Sequence, residues 1–231
     1  MGGGAFADRG GGSRVGKGLA GGVVRCVIGA MELDFSALAP REAYRWMIGT
    51  ILPRPIAWVA TISADGRTNL APFSFFQGIT ANPPTLMFVP VNKRDGTPKD
   101  TLRNLREVPE FVVNLVSFDL GEKMNASSAE LPHGESEFAA FGIEAAPSTR
   151  VRPPRVAAAP VAFECTVHSI VLIGEGPLAA NVVFGRILNA HVRNDVLDAA
   201  GRPDPAKLDL IGRLGGNSYA RTTERFELER P

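Results

Sequence analysis

The chain has 231 residues, enough to bury a sizeable core without disulfide or metal staples, and a single domain is the default at this length. Lys and Arg total 25 against 24 Asp and Glu, so no bulk field draws nucleic acid or an acidic membrane surface. Cys26 and Cys165 stand far apart, which excludes a disulfide framework and a four-thiolate metal site, and points to a reducing cytoplasm.

Eleven of the 25 glycines fall in the first thirty residues. Such a segment cannot recover its ordering entropy by burial, so residues 1–30 read as an unstructured extension or as the product of an upstream start. The domain is then 31–231. No run of about 18 apolar residues occurs, so no membrane-spanning helix is expected.

"SALAPREAYRWMIGTI" has apolar residues at helical spacing and stops at Pro53, which predicts a leading helix. "RPIAWVATIS" is β-branched and aromatic, and "ADGR" supplies an Asp-Gly turn, so a strand, a turn and a returning strand follow. The returning segment, "TNLAPFSFF", carries Pro72 in its middle, where a central strand needs a backbone donor. Residues 85–91, 110–117, 161–174 and 181–192 read as further strands, and "PKDTLRNLREV", "DLGEKMNASSAEL" and "ESEFAAFG" as helices. Strands do not alternate regularly with helices, so a doubly wound parallel sheet is disfavoured. The pattern fits a mainly β architecture: an antiparallel barrel of six or more strands with a few peripheral α-helices. The proline-rich stretch 147–160 reads as a crossing over the surface.

Several chemistries find no support. Gly174, Gly176 and Ala179 outline a dinucleotide fingerprint with Asp195 downstream, but the residues that should form its helix are β-branched and contain Gly185. A hairpin with "GEGPLA" as its loop fits better. His133, His168 and His191 lack metal-site spacing, and no nucleophile elbow is present. Cys165 lies mid-strand and reads as core, while Glu135 and Glu137 read as a polar helix start. No catalytic side chain and no metal site are expected.

Two features suggest a ligand. Pro72 removes a donor and bends the chain, leaving nearby amides and carbonyls to meet a flat heteroaromatic ring, with Phe73, Phe75 or Phe76 covering it and Asn69 or Ser74 hydrogen-bonding. The competing reading is an ordinary edge strand. In "NKRDGTPKDTLRNL", Thr97 reads as N-cap, Pro98 as the first helical residue and Asp100 as the third. That is either a capping box or, with Arg94 and Lys99 beside exposed amides, a phosphate seat.

"RPIAWVATISADGRTNLAPFSFF", with the later "PP", "KDTLRNL", "EFVVN" and "MNASS" and the terminal "LGGNSYARTTERFEL", closely resembles the flavin reductase-like family, which contains flavoredoxin and the reductase components of two-component flavin monooxygenases. The resemblance covers residues 40–231. It implies an FMN-binding, Greek-key split barrel working as a homodimer. By position it implies that Thr61, Asn69, Ala71, Pro72, Ser74 and Phe75 line the isoalloxazine and ribityl chain, that Lys99, Asp100 and Thr101 lie near the phosphate, and that Asn125, Ser128 and Tyr219 reach the flavin or close over it. The implied activity is reduction of flavin by NADH or NADPH, with electrons passed to free flavin, a partner monooxygenase or another acceptor. An electron carrier without nicotinamide turnover and a non-enzymatic interaction module are the alternatives.

Overall fold

The computed structural model describes residues 29–132 and 134–231, preceded by the backbone of Val15–Lys17 and Val23–Val27. The chain divides into two compact units, Met1–Ile51 and Leu52–Pro231.

In the first unit, β1 (Val15–Lys17), β2 (Val23–Val27) and β3 (Ala30–Leu33) pair antiparallel in that order. The unstructured extension expected over 1–30 falls on these strands and otherwise on residues outside those described. Asp34 then accepts the Ser36 amide at 2.9 Å to start a 3-10 turn, Phe35–Ala37. The leading helix, α1 (Pro40–Thr50), opens on a proline whose missing N–H would have had no helical partner.

The second unit is built on a seven-stranded antiparallel sheet. Its strands are β4 (Ala57–Ile62), β5 (Thr68–Phe73), β6 (Phe76–Ala81), β7 (Pro84–Phe88), β8 (Glu110–Asn114), with two-residue β9 (Ala145–Ala146) and β10 (Arg155–Val156) pairing apart, then β11 (Val161–Ile173) and β12 (Ala180–Val192). The spatial order is β5-β4-β8-β11-β12-β7-β6. The chain therefore builds one edge, jumps to the other, returns to lay β8 beside β4, and fills the gap with the long β11–β12 hairpin. Between these strands lie α2 (Asp100–Glu107), α3 (Gly121–Ala126) and α4 (Glu137–Ala140). Beyond them come α5 (Pro205–Leu208) and the hairpin of β13 (Ile211–Arg213) and β14 (Tyr219–Arg221).

The sheet curls until its ends meet. Phe73 on the β5 edge packs against Phe88 on β7 with ring centroids 5.3 Å apart, and Phe88 against Phe111 of β8 at 5.2 Å. Val59, Phe73, Phe88, Phe111, Cys165 and Val183 form the interior of this split barrel, which Leu105 of α2 plugs. On the opposite face Trp58, Leu70 and Val112 pack under Leu120, Met124, Phe138 and Val156. Both faces of β4 are buried, which explains why "AWVATI" reads as a continuous apolar run. Gly185, the residue that argued against a nucleotide-binding helix, sits on β12 where a Cβ would lie 2.2 Å from the Phe111 ring. "GEGPLA" is the loop of the β11–β12 hairpin, with Gly174 at φ 80° and Gly176 at φ 65°. The proline-rich crossing is fastened by Glu164, which is fully buried and accepts the Thr149 and Arg150 amides at 2.8 and 2.5 Å. Asn189 and His191 complete its shell.

Candidate functional site

The β5 strand answers the question posed by Pro72. It is an edge strand, and its register with β4 runs unbroken from Ile62↔Thr68 to Ala57↔Phe73, with Trp58 opposite Pro72. The expected bend is therefore absent. Alternate residues of an antiparallel edge turn their backbone groups outward. Leu70 is one such residue, since Glu137 Oε2 takes its amide at 2.7 Å. Two residues on, Pro72 occupies the same phase, where a missing N–H costs no ladder bond.

The start of α2 differs from expectation as well. The helix begins at Asp100, with Lys99 in the cap position and no side-chain cap. Thr97 does not reach it, because its amide and hydroxyl both bond to Asp95 Oδ1, at 2.9 and 2.7 Å. No capping box forms, so the lysine-flanked helix start is left to other partners. Two side-chain bridges lock it to the hairpin: Asn69 donates to Thr101 Oγ1 at 3.1 Å and Asn104 to Thr61 Oγ1 at 3.0 Å. A facing pair on the ladder thus meets residues one helical turn apart.

Between the β5 edge and this helix start lies a cleft of about 110 Å³. Asn69, Ala71, Pro72 and Phe73 form one wall, Lys93, Lys99, Asp100 and Thr101 a second, and residues 127–131 with Glu135 and Glu137 the third. The third wall is anchored by the buried indole of Trp58, whose Nε1 donates to Ser127 Oγ at 2.8 Å. Burial pushes the Glu137 carboxyl above its ordinary value and the charge of Asp100 adds to this, against the opposing hydrogen bonds from the Leu70 amide and its own. Asp100 itself pairs with Arg103 at 3.3 Å.

Of the residues singled out from sequence, Asn69, Ala71, Pro72, Lys99, Asp100, Thr101 and Ser128 come together in this cleft. Thr61 is fully buried and off the lining, where it accepts from Asn104 of α2 and faces Asn69 on the ladder. Ser74 and Phe75 follow β5, off the lining, and Ser74 Oγ accepts from the buried Arg54 at 3.3 Å. Arg54 and Arg213 exchange backbone hydrogen bonds at 3.0 and 2.8 Å, and the Arg213 guanidinium stacks over Tyr219 at 4.4 Å. Tyr219 donates to Asn125 Oδ1 at 3.0 Å, so Ser74, Tyr219 and Asn125 belong to a second polar cluster. Sequence reasoning missed Lys93, Glu130 and the roles of Glu135 and Glu137. Lys93 carries a signal in "NKRDG", where its neighbour Arg94 is the exposed residue. His133 lies outside the described residues, and among those described no cluster of His, Cys, Asp or Glu is set to hold a metal.

A family model described as the flavin reductase-like domain matches residues 48–207. The chain belongs to the flavin reductase-like family. A protein from Deinococcus radiodurans is 43% identical over 207 residues, covering 86% of this chain and 89% of that one. Among solved structures, nitrilotriacetate monooxygenase component B from Bacillus cereus is 32% identical with a TM-score of 0.80, covering 85% of this chain and 98% of its own. The 2-nitrobenzoate 2-nitroreductase NbaA of Pseudomonas fluorescens is also 32% identical, with a TM-score of 0.78 and coverage of 87% and 96%. Among the described residues of this flavin reductase-like chain, no helix is long and apolar enough to cross a membrane.

Proposed function

We propose that this chain is an FMN-dependent oxidoreductase of the NAD(P)H:flavin reductase type, with FMN seated in the cleft between the β5 edge and the start of α2. The observation that carries the reading is the meeting of two unlike surfaces in one cleft. One is a strand edge whose small residues, Ala71 and Pro72, leave room for a flat ring. The other is a helix start with no side-chain cap, flanked by Lys93 and Lys99. Their chemistry matches the two ends of a flavin mononucleotide.

The donor set fits the group. Lys93 and Lys99 supply positive charge for a phosphate, and Thr101 accepts from Asn69 while keeping its own O–H to donate. Glu130, Glu135 and Glu137 on the facing wall would repel a phosphate, confining it to the lysine side of the cleft at a cost in affinity. When bound, FMN supplies the redox chemistry, taking hydride from the nicotinamide. The chain's own task is to hold the ring, orient it and exclude water.

A cleft of about 110 Å³ is smaller than the roughly 300–1,000 Å³ that encloses most small ligands. One chain would thus hold part of the flavin and a second copy would complete the enclosure. Exposed Ile79, Leu172, Ile173 and Leu178 offer apolar surface for such a homodimer. The same reading places the protein in the cytoplasm. Electrons would pass to free flavin, to a partner monooxygenase as the component B neighbour suggests, or to another acceptor such as the nitroaromatic named for the nitroreductase neighbour.

The test is anaerobic mixing of the purified protein with FMN and either NADH or NADPH, following absorbance at the flavin maximum. Bleaching well above the protein-free rate supports the reductase. FMN binding without faster bleaching would mark an electron carrier instead, and a protein that leaves FMN fluorescence unquenched would mark an interaction module.

A further inference from the structure

A cavity of about 170 Å³ shares no lining residue with the cleft and is almost wholly apolar. It is lined by Pro53, Pro55 and Ile56 ahead of β4, by Leu115 behind β8, and by Leu210 and Ile211 where β13 begins. Its frame is hydrogen-bonded backbone. Arg54 and Arg213 exchange their two bonds at 3.0 and 2.8 Å, and the Ile211 amide donates to Val116 O at 3.1 Å. Gly212 lets the hairpin close on the 53–56 segment, since a Cβ there would fall 2.9 Å from Pro53 Cβ. The walls are thus set by backbone rather than by movable side chains. An apolar cavity of about 150 Å³ takes up benzene, so this one has room for a phenyl ring.

The chain carries such a ring on a segment rooted at the same place. Thr222 lines the cavity, and its amide and hydroxyl both donate to Leu210 O, at 3.0 and 2.9 Å. Arg221 beside it is held by two bonds of 2.7 Å to Asp209. Beyond this anchored root, residues 223–231 form no helix or strand and are all exposed, Phe226 at 85% and Leu228 at 82%. In "ERFELER" apolar and charged residues alternate, the pattern of a strand covered on one face. This copy leaves that face bare. Return of Phe226 to its own cavity is disfavoured, because Thr222 holds the rim and Thr223, Glu224 and Arg225 include none of the residues that favour a tight reversal.

We propose that the C-terminal segment 223–231 docks on a second copy of this chain, with Phe226 in that copy's cavity and Leu228 covering its rim. The exchange is reciprocal about a two-fold axis. Four residues of extended chain span at most about 14 Å, so the axis passes close to Thr222. Each ring wedges into the seam where the other copy's β13–β14 hairpin joins the sheet, and so fastens the hairpin that carries Tyr219. The inference deepens the homodimer proposed above and makes no use of the flavin.

The test co-expresses two differently tagged full-length chains, both carrying Cys26→Ser, one with Phe226→Cys and the other with Pro55→Cys on the exposed side of the cavity, and treats them with a short bismaleimide. Cys165 is buried and stays out of the reaction. A covalent pair bearing both tags is expected, with at least about tenfold less when Arg225→Cys, on the opposite face of the strand, replaces Phe226→Cys. Full-length Phe226→Ala should weaken self-association by about tenfold or more in sedimentation, with its circular dichroism unchanged. Coupling of Phe226→Cys to Pro55→Cys only when both lie on one chain would show that the tail returns to its own cavity, and would overturn the proposal. Equal coupling from positions 225 and 226, or none, would overturn it too. A wild-type dimer without the mixed cross-link would reject the exchange and keep the homodimer, whereas a wild-type monomer at every concentration would reject both.

Discussion

Glu137 joins the fold to the cleft, and two substitutions there separate what its oxygen does from what its charge does. The residue is 7% exposed, and its carboxylate accepts the amide of Leu70, a residue with no exposed surface at all. Glu137→Ala leaves that amide buried with no acceptor, whereas Glu137→Gln keeps an oxygen in place and removes the charge. The alanine variant should therefore be less stable than the glutamine variant by about 1–3 kcal/mol, the cost of orphaning a buried donor. For a unit of this size that corresponds to roughly 2–12 °C in Tm. The pH dependence has a definite sign. Burial, reinforced by Asp100, raises the Glu137 pKa above its ordinary 4.5, so the folded chain binds this proton more tightly than the unfolded chain does. Stability from this group is complete below the ordinary value and is lost as pH rises through the raised one. Wild type should accordingly lose stability relative to Glu137→Gln between acid and neutral pH, and Glu137→Gln should bind FMN more tightly at neutral pH. Thermal melts of the three proteins between pH 4 and 8 measure all of this except the FMN affinity, which a quenching titration supplies. Equal stability of the alanine and glutamine variants, or a wild-type-to-glutamine difference that does not move with pH, would refute the reasoning.

Gly185→Ala would place its Cβ 2.2 Å from the Phe111 ring in the barrel interior, and should cost about 1–3 kcal/mol or more in urea unfolding, largely recovered in the Gly185→Ala/Phe111→Leu double variant. Glu164→Gln keeps one acceptor oxygen but leaves a buried amide of this shell without its acceptor, and should cost about 1–3 kcal/mol at neutral pH. Burial works to raise the Glu164 pKa, but the Thr149 and Arg150 amides, His191 and Asn189 outweigh it and hold the group below its ordinary value. Its contribution is therefore present above about 4.5 and lost as pH falls through the lowered value, so Glu164→Gln should also flatten the acid limb of the stability curve. Lys93→Ala/Lys99→Ala should weaken FMN binding by an order of magnitude or more while leaving Tm within a few degrees of wild type, as measured by fluorescence quenching and thermal melts.

Local chemistry made the main strands legible. Asp65 and Gly66 mark the β4–β5 turn, where Gly66 takes φ +89°, and the β-branched runs either side of "GEGPLA" become one hairpin of two 13-residue strands. What stayed hidden depends on partners remote in sequence. Strand β6 carries Gly78 and is exposed along almost its whole length, so no alternation marks it, and its existence rests on pairing with β7. The short β13 answers to Arg54, more than 150 residues earlier. Glu137 opens a polar stretch that reads as a solvated helix start, yet it is buried because the β5 edge needs an acceptor for Leu70. Thr97 shows the opposite failure. The Thr-x-x-Asp pattern is genuine, but Asp95, two residues upstream, captures both of its donors first. For the site, the same rule holds: residues on β5 and at the start of α2 were legible because one strand and one helix bring them together, whereas the third wall arrives through packing on Trp58.

A crystal structure of the protein grown with FMN tests the central claim most directly. The account predicts a phosphate within hydrogen-bonding reach of Lys99 and Thr101 and a ring system lying along Ala71 and Pro72. FMN ordered at another place on the barrel, with the cleft closed by the chain's own side groups, would contradict it.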